Sequence, residues 1–132
     1  MKRQMAVGVV AVAAAAMLTG MTGSAYAAGP SGAEACPSGN FCLYYNSPGY
    51  GWGSFEHWSP GNFPDLGQYS FRDWGNGSGY GQSVVNNAAS FVNNTGVTWT
   101  VYNQTGTQVS YYHPGTSGIL AFPNGDWSMY GG

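Results

Sequence analysis

Charge is scarce in this chain. Only 6% of its 132 residues are Asp, Glu, Lys or Arg. Within residues 28–132, Arg72 is the sole cationic side chain other than histidine. It faces Glu34, Glu56, Asp65, Asp73 and Asp126, so the net charge there is 1 − 5 = −4. Phosphate recognition rests on clustered Lys and Arg. Nucleic acids and anionic membrane surfaces are therefore excluded as partners. Catalytic signatures are missing too: there is no G-x-S-x-G, no H-E-x-x-H and no phosphate loop. Adjacent residues on a strand point to opposite faces. Glu56 and His57 (if on one strand) are therefore expected to be badly placed as a base and its orienting carboxylate. The chain reads as a non-enzyme. No window of a dozen residues keeps a 3.6-residue apolar period, which argues against amphipathic helices.

One apolar run stands out, Ala6–Leu18. Lys2 and Arg3 precede it and Ala25-Tyr26-Ala27 follows it. This order of positive, apolar and small residues is a secretory signal peptide. The run is too short for a membrane span. Residues 1–27 are read as the signal and residues 28–132 as the mature domain, 132 − 27 = 105 residues, secreted to the extracellular space. That length makes one domain with one core. Cysteines number two, Cys36 and Cys42, and in an exported protein they are expected to pair.

Aromatics make up 16% of the chain, enough large apolar surface to offset ordering entropy. They fall in short runs separated by Gly, Pro, Asn and Ser, the pattern of many short strands. Expected strands are Phe41–Asn46, Ser54–Trp58, Tyr69–Trp74, Ser90–Asn94, Thr98–Asn103, Gln108–His113 and Gly118–Phe122. Gly75–Gly81 is expected to be the most flexible loop, since glycine has the widest backbone freedom. A faint repeat is present: Leu43-Tyr44-Tyr45-Asn46 leads to Phe55–Gly61, and Thr100-Val101-Tyr102-Asn103 leads to Tyr111–Gly115. Two such halves point to paired Greek keys in an all-β sandwich.

Two motifs together carry a family resemblance: Cys36-Pro-Ser-Gly-Asn-Phe-Cys-Leu-Tyr-Tyr-Asn46, and Val85-Asn86-Asn87-Ala88-Ala89-Ser90. They resemble the streptomycete-type metalloproteinase inhibitors, over Cys36–Asn103 well and over the last thirty residues poorly. Tyr44, Tyr50 and Gly53 are similar to the aromatic hairpin of a βγ-crystallin Greek key, with a loop one residue longer. The resemblance implies a single-domain, all-β, βγ-crystallin-like Greek-key sandwich. It implies a secreted monomer that blocks a secreted zinc metalloprotease by laying an exposed loop in its cleft. That loop matches Gly81–Val85, with Ser83 and Val84 flanking the protease-facing bond and Val84 entering a hydrophobic pocket. The family's second disulfide corresponds to Gln68 and Ser83, so this loop is expected to lack a brace. Ordering a loose loop costs about 1 kcal/mol per residue fixed.

Other readings stay open. Asn86, Asn87 and Ser90 resemble the calcium motif of βγ-crystallins, with Phe91 at its last position and no matching copy expected in the second half. Calcium takes six to eight oxygen ligands and favours carboxylates, which this version lacks. A non-catalytic module binding calcium, a glycan or a cell surface, as a toxin does, is the alternative function. Trp52, Trp58 and Trp74 are its candidate sugar platforms, or else core residues. No cofactor other than calcium is expected.

Overall fold

The computed structural model describes residues 31–132, so the signal segment and its cleavage point lie outside the described residues. Eight short strands form two four-stranded antiparallel sheets, the arrangement of one β-sandwich domain. In chain order they are β1 (Phe41–Tyr44), β2 (Phe55–Trp58), β3 (Gly61–Phe63), β4 (Ser90–Asn93), β5 (Trp99–Tyr102), β6 (Val109–Tyr112), β7 (Ser117–Ile119) and β8 (Ser128–Gly131). The first sheet runs β2-β1-β4-β7 and the second β3-β8-β5-β6.

The second half repeats the first. In each, two strands form a hairpin, the fourth returns beside the first, and the third crosses to the other sheet. The faint repeat in the sequence marks the hairpins β1–β2 and β5–β6. Their opening residues, Phe41 and Trp99, stack across the sandwich at 4.6 Å between centroids and 9° between planes. The core between the sheets is built from Phe41, Leu43, Trp58 and Phe91 on one side and Trp99, Val101, Tyr112 and Met129 on the other.

β1 is buried on both faces. Its outward residues Cys42 and Tyr44 lie under the segment Gly32–Cys36, joined by the Cys36–Cys42 disulfide and by the Tyr44 hydroxyl donating to the Gly32 carbonyl at 2.7 Å. The pairing expected of the two cysteines is therefore found.

Two expectations fail. Tyr69–Trp74 is no strand; it makes only the isolated bridges Phe55–Asp73 and Ser70–Ser83. Conversely β3 and β8 carry no alternation long enough to read, because each is three or four residues ending or starting in glycine. Gly131 is needed there: a Cβ would run into the Trp99 indole.

Candidate functional site

The glycine-rich segment is a packed turn, contrary to the flexible loop expected of it. Gly77 lies against Ser54 and the Trp74 ring, and Gly79 (φ 80°) lies under the Tyr45 ring. No side chain fits at either place, so these glycines allow close approach and do not confer freedom. The strand-like bonds Gly81 N–H to Phe71 O (2.8 Å), Phe71 N–H to Gln82 O (3.0 Å) and Val84 N–H to Tyr69 O (3.0 Å) hold the turn from one side. Asn87 Nδ2 donates to Ser83 O at 2.8 Å from the other. Ser83, which corresponds to one half of the family's missing second disulfide, pairs with Ser70 by an isolated β-bridge.

These bonds expose Tyr80, Gly81 and Gln82 and leave Ser83 half-buried. Val84 is different. Its side chain is 0% exposed and belongs to the core with Leu66, Phe71 and Ala88. The expected role of Val84 as the residue entering a protease pocket is therefore corrected. The alternation of the paired segment turns Val84 inward, where burying a valine gains about 1.5–3 kcal/mol.

The motif after this turn also departs from expectation. Asn86 takes a left-handed φ of 58°, which Asn tolerates better than most residues. Its N–H bonds to Asp126 O at 2.7 Å, while the N–H of Asn124 (φ 61°) bonds to Ala88 O at 2.8 Å. The second half therefore does contain a counterpart, Asn124-Gly-Asp-Trp-Ser128, and the two turns clasp each other reciprocally. Its substitutions hide it from sequence comparison. Asp126 is fully buried; its Oδ1 accepts from Ala88 N–H at 3.1 Å and its Oδ2 has no partner. Burial pushes its carboxyl up to about 7 against three backbone N–H contacts that favour the anion.

Beside the clasp, Tyr45, Asn46, Ser47, Tyr50, Asn86, Asn87, Ala89 and Asn124 line an open pocket of about 400 Å³. The Ser90 hydroxyl is buried and donates to Asn46 O at 2.6 Å. Two amides and a committed hydroxyl, with the nearest carboxylate sealed in the clasp, make a poor donor set for calcium. Asn86 and Asn87 lie in the turn before β4, and Ser90 opens that strand. Tyr50 is 82% exposed and does not pack as the hairpin resemblance implies, while Gly53 takes φ 76° with Ser78 O only 3.0 Å from where a Cβ would stand. Trp58 is in the core, and Trp52 and Trp74 are half-buried, so the three tryptophans form no exposed platform.

Residues 29–112 match the description "peptidase inhibitor family I36". The chain belongs to that family. No curated protein and no solved structure matches it. An I36 member is a peptidase inhibitor, a non-enzymatic role, and its partner is a protease. The match ends with β6. The remaining residues supply β7 and β8, which complete both sheets of this I36 domain.

Proposed function

We propose that this I36 protein is exported and inhibits an extracellular zinc metalloprotease through the exposed turn Tyr80–Ser83. The observation that carries the reading is family membership combined with a turn bonded on both sides by backbone and Asn87. A turn already held in one conformation loses little entropy on binding, and it resists the distortion that cleavage requires. Gly81, Gln82 and Ser83 lie in the cleft where substrate would lie, with a turn carbonyl near the zinc. Val84 takes part by fixing the turn to the core.

The scaffold is read as βγ-crystallin-like, on the exchange of β3 and β7 between sheets and the reciprocal clasp. The disulfide fits an oxidising compartment. Residues 28–132 are the mature monomer, so the secreted protein begins at Ala28 on N-terminal sequencing.

The test is inhibition of a thermolysin-type protease by the purified protein and by Tyr80→Ala and Gln82→Asp, whose side chains are exposed. Each variant should raise the inhibition constant about tenfold, roughly 1.4 kcal/mol, with an unchanged melting temperature. Equal inhibition by all three proteins would place the interface elsewhere.

A further inference from the structure

On the far side of the first sheet, three ligating side chains converge that the inhibitory reading does not use. Glu56 and His57 lie on the edge strand β2. Asp73 is pinned beside them by paired backbone bonds with Phe55, 2.8 and 3.2 Å. Strand alternation should separate Glu56 from His57. Instead the Glu56 carboxylate turns back towards its neighbour: Oε1 accepts the His57 backbone N–H at 3.3 Å and stands 3.8 Å from His57 Nδ1. Asp73 Oδ2 is 2.7 Å from the same Nδ1. One nitrogen and two carboxylate oxygens thus lie within 4.8 Å of one another.

We propose that Glu56, His57 and Asp73 form a binding site for a first-row divalent cation of the zinc type. Zinc binds imidazole nitrogen and carboxylate oxygen at about 2.0–2.2 Å, so its tetrahedral ligand atoms stand about 3.4 Å apart. The observed 2.7 and 3.8 Å bracket that spacing. The two distances to Nδ1 depart from that spacing by about 0.4 and 0.7 Å, in side chains that are 17–43% exposed and free to adjust. The imidazole selects zinc or copper over calcium and magnesium, which prefer all-oxygen sets. The fourth position opens to solvent.

Two features favour a cation here. Glu56 and Asp73 bring two like charges to one imidazole nitrogen, and a divalent ion offsets both. It also ties Asp73 to β2. The segment containing Asp73 is the one whose Phe71 bonds to Gly81 and Gln82, so the ion braces the segment that holds the exposed turn.

The site stands independently of protease inhibition and is tested without a protease. Zinc chloride is titrated calorimetrically into the purified full-length secreted protein, with magnesium chloride as control. One zinc per chain binds, zinc raises the melting temperature by several degrees, and magnesium does neither. His57→Gln and Asp73→Asn, both at accessible side chains, abolish the heat and the shift while circular dichroism stays unchanged. No zinc heat in the parent protein overturns the proposal. Undiminished binding in His57→Gln also overturns it, since that assigns the ion to His113 or the chain terminus.

Discussion

Replacing Asp126 by Asn should abolish most of the pH dependence of stability above mild acid. In the folded protein this carboxyl is fully buried, one oxygen has no partner, and burial pushes it from 3.8 up to about 7. The folded state therefore holds the proton more tightly than the unfolded chain. That contribution is fully present below the unfolded value and is lost as pH rises through about 7. A shift of about 3 units at 1.36 kcal/mol each is worth about 4 kcal/mol in all, of which about 3 kcal/mol disappears between about pH 5 and pH 8.5. Urea denaturation across that range should show the midpoint falling up to about pH 7.5 and levelling off above it. Asn keeps the acceptor for Ala88 N–H and cannot ionise. Its new orphan NH2 costs about 1–3 kcal/mol, so the variant starts lower and stays flat. A variant with the parent's slope would show that another group, and not the buried clasp, sets the alkaline limit.

Other expectations follow from packing and from the disulfide. Gly79→Ala should destabilise by about 2–4 kcal/mol, because the site combines a left-handed φ with a ring in the way. Gly81→Ala, at a similar φ with open space around it, should cost only about 1 kcal/mol; equal melting temperatures for the two would remove the case for a packed turn. Val84→Ala should lower stability by about 2 kcal/mol in thermal melts, and an unchanged melt would mean that the side chain is not in the core. Reducing Cys36–Cys42, or replacing both by Ser, should cost about 2 kcal/mol on the chain-entropy account of so short a loop, read as a lower urea midpoint.

What the order of residues determined alone is what short-range physics governs. Aromatic and β-branched runs between turn residues marked six of the eight strands, and two cysteines six positions apart could only close a small loop. The paired motifs then carried the family. Tertiary structure decided the rest. β3 and β8 exist because each lies along the other, with Phe63 opposite Met129, and no pattern in either segment demands it. A run of glycines has the same composition whether it moves or is packed, and only the rings of Trp74 and Tyr45 settle the matter for Gly77 and Gly79. Val84 looked like a residue to offer because it falls in the segment that matches the family's inhibitory loop; pairing with Tyr69 turned it inward. Asp126 and the trio Glu56, His57 and Asp73 lie far from their partners in sequence or against strand alternation, so their proximity is a property of the folded backbone and of an open sheet edge.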